Sequence, residues 1–173
     1  MTSRLAIACA VLLCSGSAYA AEGDRVSGTL EGDGIRGEIS MLETASGTVH
    51  VEVTAEGVPE GAHGIHVHEI GTCEAADGFK SAGGHLSAGL DHGIMSQGGP
   101  HPGDLPNVHA GADGMIHAEF FVRGFSLGTE GNARILDEDG SSVVLHSGPD
   151  DYSSQPSGDS GSRIACAVLT PAE

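Results

Sequence analysis

Strand-like alternation is the feature that most constrains the fold of this chain. In "GTVHVEVTAEGV", Val49, Val51 and Val53 fall on one face of an extended segment, and His50, Glu52 and Thr54 fall on the other. Similar short runs recur between clusters of Gly, Asp, Asn and Pro. After the first twenty residues, no apolar pattern follows the period of a helix. The pattern predicts an all-β sandwich or barrel.

Besides the segment 47–58, seven further runs read as strands, which makes eight in all. They are placed at about 24–31, 34–42, 63–69, 114–123, 132–137, 142–147 and 163–169. Asp-Gly pairs favour tight turns, and we expect hairpins at Asp33-Gly34, Asp113-Gly114 and Asp139-Gly140. The first pair lies in "GDGIRG", which matches a dinucleotide-binding motif in its letters. Strand patterns follow it where that motif requires a helix, so we interpret it as a hairpin turn.

Two long stretches, 70–112 and 148–162, interrupt this strand pattern. Both are rich in Gly, Pro, Ser and Asp. Because structureless segments of this length are uncommon inside a compact domain, they are usually functional. We therefore expect two long functional loops.

The first twenty residues have the pattern of a secretory signal peptide. "MTSRLAIACAVLLCSGSAYA" has an early cation at Arg4, a short apolar run and the cleavage sequence Ala18-Tyr19-Ala20. At about ten residues, the run is too short for a membrane-spanning helix. We expect residues 1–20 to be removed and 21–173 to form one periplasmic or secreted domain. A lipoprotein modified at Cys14 is the disfavoured alternative, because Leu13 is bulky.

Export leaves Cys73 and Cys166 as the cysteines of the mature chain. A single pair in an oxidising compartment predicts a disulfide rather than two buried free thiols. The chain is also strongly acidic, with 24 Asp and Glu against 7 Lys and Arg. Nucleic acids and anionic membranes are therefore poor partners for its surface.

Histidine is unusually frequent, with ten residues in a chain that lacks tryptophan. In "GIHVHEIGTC", His66 and His68 lie on one face of a strand and can chelate one ion. The loop sequence "GGHLSAGLDHGIMSQGGPHPGDLPN" then adds three histidines and an aspartate, a plausible tetrahedral zinc set: His85, His92, His101 and Asp104. His146 ends a later strand beside the second loop, and imidazole-rich sites suit zinc and copper.

These pieces, in this order, resemble the exported bacterial copper–zinc superoxide dismutases. The similarity covers nearly the whole chain after residue 20. The matching stretches are "HVHE", Cys73, "GGH" at Gly83–His85, "HG" at His92–Gly93, "HPGDLPN", "VVLHSGPDD" and "GSRIACAVL". The resemblance implies an eight-stranded Greek-key β-barrel, related to immunoglobulin-like sandwiches, with one copper ion and one zinc ion per subunit. It also implies disproportionation of superoxide anion to oxygen and hydrogen peroxide by Cu(II)/Cu(I) cycling.

The resemblance also implies a role for each matching residue. The copper ligands would be His66, His68, His85 and His146, and the zinc ligands would be His85, His92, His101 and Asp104. His85 would thus bridge the two metals and pass a proton, and Arg163 would guide the anion. Asp150 would hydrogen-bond one ligand of each metal, and Cys73 would pair with Cys166.

The chain departs from the family pattern in its two loops. Leu86-Ser87-Ala88 replaces the usual aromatic and Asn/Asp-Pro, and His92 follows His85 more closely than is usual. The second loop has no lysine, which leaves Lys80 as the nearest other candidate for steering superoxide. The remaining histidines match no motif position and are expected to be solvated or hydrogen-bonded at the surface: His50, His63, His109 and His117.

Two alternative functions remain open at this point. A cupin-type oxygenase also uses His-x-His on a β-barrel, but Glu69 and Glu74 miss the glutamate position that its motif requires. A non-enzymatic copper-binding or copper-buffering protein on the same fold would be expected to lose ligands or the arginine. The sequence leaves the choice between monomer and homodimer open.

Overall fold

Short antiparallel strands form most of the regular structure in the computed structural model, which describes residues 23–128 and 133–172. Within these ranges the strands are β1 (Arg25–Gly32), β2 (Arg36–Glu43), β3 (Val49–Glu56), β4 (Gly61–His63), β5 (Ile65–His68), β6 (Val108–Ala110), β7 (Ile116–Val122), β8 (Ser142–His146), β9 (Arg163–Val168) and β10 (Thr170–Pro171). Two 3-10 turns, Ala75–Asp77 and Lys80–Ala82, are the helical elements of the described chain. The predicted all-β class is confirmed.

The strands form one curled sheet and a separate two-stranded ribbon. The main sheet has the order β5-β8-β9-β1-β2-β3-β7, and β10 pairs with β1. β4 and β6 form the ribbon, which is continuous in the chain with the edge strands β5 and β7. Neighbours that are distant in sequence, such as β3 with β7, give the long connections of a Greek key.

The core lies on the strand face that the alternating sequence pattern predicted. Val49, Val51 and Val53 on β3 are fully buried, while Glu52 and Thr54 on the other face of the strand are exposed. β5 and β8 differ, because every residue of both strands is buried. The long connections 69–107 and 147–162 follow these two strands, and the site described below lies between them. This side of the barrel is therefore the place where polar side chains can be enclosed.

One predicted strand, 132–137, is wrong. Its described residues form turns, with a single bridge between Arg134 and Ser126. Ala133 and Ile135 are nevertheless buried in the core. Alternate burial thus arises here from a loop packed against the barrel, which produces the same sequence pattern as a strand.

The turns and short strands show further differences. The Asp33-Gly34 hairpin is confirmed, and it joins β1 to β2. The Asp113-Gly114 turn forms, but β6 before it pairs with β4 rather than with β7. The described residues just before Asp139-Gly140, 133–138, form no strand, so this predicted hairpin with β8 is wrong. β6 lies inside the predicted loop 70–112 and, with three residues, is too short to show a pattern.

The predicted signal peptide, residues 1–20, lies outside the described residues. Within the described part of the chain, no helix has the length and apolar character needed to cross a membrane.

Candidate metal centre

Four buried histidines form a first cluster beside β5 and β8: His66, His68, His85 and His146. Their ligand nitrogens lie within 4.8 Å of one another. Alternation along β5 places His66 and His68 on one face. The β8–β9 register shifts between Leu145 and His146, and an irregularity of this kind re-aims a side chain at a strand end. His85 reaches the cluster from the first long loop through a bridge to His68.

Hydrogen bonds in this cluster leave specific ring nitrogens without a partner. His66 Nε2 lies 2.8 Å from an oxygen of Asp150, and His68 Nδ1 lies 3.1 Å from the carbonyl oxygen of Gly83. The opposite atoms, His66 Nδ1 and His68 Nε2, are buried and unpaired, as is His85 Nε2. Because a buried unpaired polar atom is costly, these nitrogens fit a bound cation. A histidine-only donor set suits copper.

The second cluster joins three histidines to one carboxylate: His85, His92, His101 and Asp104. The Nδ1 atoms of His85, His92 and His101 lie 3.0, 3.0 and 3.1 Å from Asp104 Oδ1. Asp104 Oδ2 accepts hydrogen bonds from the backbone N–H groups of Gly93, at 2.8 Å, and His101, at 3.0 Å. Three imidazole nitrogens and one carboxylate oxygen are a tetrahedral zinc donor set.

His85 belongs to both clusters. Its Nδ1 lies against Asp104 in the second cluster, and its Nε2 has no hydrogen-bond partner. Its ring stacks on that of His66 in the first cluster, with centroids 4.1 Å apart. One imidazole therefore presents its two nitrogens to two different sites.

Asp150 is a second link between the clusters. Its Oδ2 accepts from His66 Nε2 at 2.8 Å, and its Oδ1 lies 3.0 Å from His92 Nε2. Asn107 holds the Asp150 backbone, accepting from its N–H at 2.8 Å and donating to its carbonyl oxygen at 2.9 Å. Burial alone would raise the pKa of Asp150, but the hydrogen bond from His66 and the backbone N–H of Tyr152 outweigh it and lower the pKa.

Burial keeps three of the ligand histidines neutral, which is the form that binds metals. It lowers the pKa of His68 to about 2, of His85 to about 4 and of His146 to about 3. Burial opposes ionisation of Asp104, but the hydrogen bonds with His85 and Gly93 prevail and hold its pKa below the ordinary range. The neutral imidazoles of His68, His85 and His146 and the ionised carboxylate of Asp104 are the forms that bind cations.

Arg163 starts β9 and pairs with His146 across the sheet. Its two terminal nitrogens donate to the carbonyl oxygens of Phe79, at 2.6 Å, and Gly83, at 2.7 Å. Burial lowers its pKa, but a guanidinium keeps its charge in a protein. It places a fixed positive charge beside the first cluster.

The predicted disulfide between Cys73 and Cys166 is present, with Cα atoms 5.7 Å apart. It ties the first long loop to β9, three residues after Arg163. The loop that supplies the carbonyl partners of Arg163 is thus covalently attached to the strand that carries the arginine.

Three of the remaining histidines match the predicted surface role. His50 contacts Glu119 on β7, and His109 and His117 are exposed. The prediction is wrong for His63, which is only 2% exposed. Its ring nitrogens lie 2.8 Å from the carbonyl oxygens of His146 and Pro59. It supports the backbone of a ligand from the end of β4, which the predicted strand 63–69 did not separate from β5.

Known proteins match the chain over most of its length. The family model described as copper/zinc superoxide dismutase (SODC) matches residues 35–169. A Cu-Zn superoxide dismutase of Caulobacter vibrioides is 40% identical over 136 residues, which are 77% of each chain. The Cu-Zn superoxide dismutase 2 of Aquifex aeolicus is 38% identical over 135 residues, or 77% of this chain and 78% of the relative.

The fold also matches solved structures. A SOD-like protein from Bacillus subtilis superposes with a TM-score of 0.78 at 36% identity, covering 83% of this chain and 97% of that chain. The matched family range contains both clusters, the disulfide and Arg163. On this evidence the chain belongs to the copper/zinc superoxide dismutase family.

Proposed function

We propose that this protein is a copper–zinc superoxide dismutase, which converts two superoxide anions and two protons to oxygen and hydrogen peroxide. The observation that carries the proposal is a pair of buried donor clusters that share His85. One cluster offers only imidazole nitrogens, and the other adds the carboxylate of Asp104. These donor sets suit copper and zinc, respectively.

In this proposal, copper is held by His66, His68, His85 and His146, and zinc by His85, His92, His101 and Asp104. When bound, copper supplies a one-electron redox couple, and zinc supplies a fixed charge without redox change. The protein residues supply orientation, charge and protons. His66 and His68 each have one ring nitrogen held by Asp150 or Gly83, which fixes the nitrogen that faces the metal site.

Arg163 and His85 have the roles closest to the substrate. Arg163 would attract and orient the superoxide anion, because its guanidinium stays charged and is held by two carbonyl oxygens. His85 Nε2, which faces the first cluster, would hold a proton and pass it to the product. Asp150 would keep the ligands of both sites oriented.

Two observations count against the alternative functions. A copper-buffering relative would be expected to lose ligands or the arginine, and both clusters and Arg163 are complete here. A cupin-type site needs a glutamate ligand. Glu69 instead accepts a hydrogen bond from the backbone N–H of Gly84, at 3.0 Å, and belongs to neither cluster.

The direct test is reconstitution of the metal-free protein with copper, with zinc and with both metals. We expect one copper and one zinc per chain by mass spectrometry, and copper-dependent inhibition of superoxide-driven cytochrome c reduction. His146→Asn should lose copper and activity, whereas His109→Asn, at an exposed position, should keep both. A wild-type protein that binds both metals but leaves superoxide unaffected would contradict the proposed function.

Export is part of the same proposal. The composition of residues 1–20 and the Cys73–Cys166 disulfide support a periplasmic or secreted protein. The intact mass of the protein used for reconstitution, expressed from residue 1, should correspond to a chain that starts at Ala21. Retention of residues 1–20 in a fraction purified from the periplasm or medium would contradict this part.

A further inference from the structure

The side-chain amide of Gln155 forms two hydrogen bonds with the backbone of His92. The N–H of His92 donates to Gln155 Oε1 at 2.9 Å, and Gln155 Nε2 donates to the carbonyl oxygen of His92 at 2.8 Å. The same Nε2 lies 3.1 Å from Ser96 Oγ and 3.1 Å from the carbonyl oxygen of Ser153. One amide side chain thus satisfies both polar backbone groups of a residue in the second cluster.

Two of the other three ligands of that cluster, His85 and Asp104, are held differently. His85 forms a bridge with His68, and Asp104 forms a bridge with His66. The neighbouring backbone groups of Leu86 and Gly103 bond to Val67 on β5, at 2.8 and 2.9 Å. These ligands are therefore anchored to the barrel, either directly or one residue away.

His92 has no such anchor to a strand among the described hydrogen bonds. Within the first long loop, its ring Nδ1 contacts Asp104 and its carbonyl oxygen accepts from Ser96 Oγ. From the second long loop, 148–162, Gln155 holds its backbone and Asp150 holds its ring. Beside it, the Met95 N–H donates to the carbonyl oxygen of Tyr152 at 3.1 Å. Gly93 packs so closely that a Cβ there would lie 2.1 Å from the Tyr152 oxygen. The shortened segment after His85 is thus fixed from the opposite loop.

We propose that Gln155 is the positioning residue for His92, and that it couples zinc binding in the second cluster to the order of loop 148–162. The inference rests on the zinc assignment made above. Gln155 fixes the His92 backbone at the position where the ring Nδ1 of His92 reaches the carboxylate of Asp104. Zinc in turn fixes His92 and, through Gln155, the loop 148–162, which Arg163 follows directly.

Zinc affinity measured by chelator competition is the first test. Gln155→Leu keeps the approximate size but removes both hydrogen bonds, and Gln155→Glu keeps only the acceptor for the His92 N–H. We expect the zinc Kd to rise by about 10- to 100-fold in Gln155→Leu, as for other residues that orient metal ligands. Gln155→Glu should lie between this variant and wild type. Gln97→Leu, an exposed glutamine of the same segment, should bind zinc like wild type.

Two further readouts separate positioning from general destabilisation. Cobalt bound in the second cluster should show an altered visible spectrum in Gln155→Leu but not in Gln97→Leu. Addition of zinc should slow amide hydrogen exchange across 148–162 in wild type and much less in Gln155→Leu. If Gln155→Leu does not fold, Gln155→Glu carries the same three measurements.

A zinc Kd within twofold of wild type in the folded Gln155 variants would overturn the proposal, as would an equal loss in Gln97→Leu. None of these measurements uses superoxide turnover. A protein without dismutase activity but with Gln155-dependent zinc binding would therefore contradict the proposed function and leave the positioning role supported. If the wild-type protein is an active dismutase but the Gln155 variants bind zinc as tightly as it does, the proposed function is supported and the positioning role is contradicted.

Discussion

At the scale of single residues, Arg163 shows how an acidic protein can present a positive charge to an anion. The chain carries a formal net charge of −17. Arg163 keeps its guanidinium beside His146 because the carbonyl oxygens of Phe79 and Gly83 hold it. A local cation in a cleft of low dielectric focuses the field, even where the overall charge repels the substrate.

Arg163→Ala should lower the rate constant for superoxide by about tenfold or more, because focused charge raises association rates by roughly that factor. It should also flatten the dependence of this rate on ionic strength. Pulse radiolysis at low and high salt measures both effects. Arg36→Ala, which removes an exposed cation on β2, is the control for net charge and should retain the wild-type rate. Equal rates for Arg163→Ala and wild type at every salt concentration would contradict the role of Arg163.

The sequence predicts some residues of the site and not others for a physical reason. Histidine spacing on β5 shows a shared face, and the motif "HPGDLPN" places His101 and Asp104 close together. Asn107 and Gln155 are not predictable in the same way. Their partners are backbone groups of Asp150 and His92, at sequence separations of 43 and 63. A glutamine that bonds a distant main chain leaves no pattern in composition or period.

At the scale of elements, covalent and hydrogen bonds hold the long loops in fixed positions against the barrel. The disulfide joins Cys73 in the first loop to Cys166 on β9, across 93 positions. Regular strands were predictable because alternation is a property of the sheet itself. The error at 132–137 arises because a loop packed against the core also shows alternate burial. β4 and β6 were not predicted as separate strands because each has only three residues.

Replacing both cysteines by serine should therefore affect stability and substrate guidance together. Opening a loop of this length should lower the free energy of unfolding by about 4–5 kcal/mol in the chain-entropy model. Urea unfolding of the metal-free protein measures this loss. The same loop supplies the carbonyl oxygens that hold Arg163. In the metal-loaded double variant, the rate constant for superoxide should therefore depend less on ionic strength than in wild type. A double variant with wild-type stability and salt dependence would show that the loop is fixed without the disulfide.

At the scale of the whole molecule, the metal sites lower the stability of the metal-free protein at acidic pH. A group of basic side chains is enclosed where they cannot take up protons readily. Burial lowers the pKa of His68, His85 and His146 from 6.5 to about 2, 4 and 3. In the unfolded chain these histidines regain an ordinary pKa near 6.5. Between pH 6.5 and 5, the unfolded state therefore binds more protons than the native state.

Stability of the metal-free protein should accordingly fall as the pH is lowered from 6.5 to 5, since it decreases wherever the unfolded state takes up the extra protons. Each of the three histidines contributes at most about 2 kcal/mol across this window, at about 1.4 kcal/mol per pKa unit. Most carboxylates titrate below it, so the histidines dominate the slope. Urea unfolding at several pH values gives the free energy of unfolding as a function of pH, and its slope gives the number of extra protons bound by the unfolded state. His68→Asn should remove about one proton from it, whereas His109→Asn, at an exposed position, should remove none. A metal-free wild-type protein equally stable at pH 6.5 and pH 5 would contradict the prediction, because three enclosed neutral imidazoles require this loss.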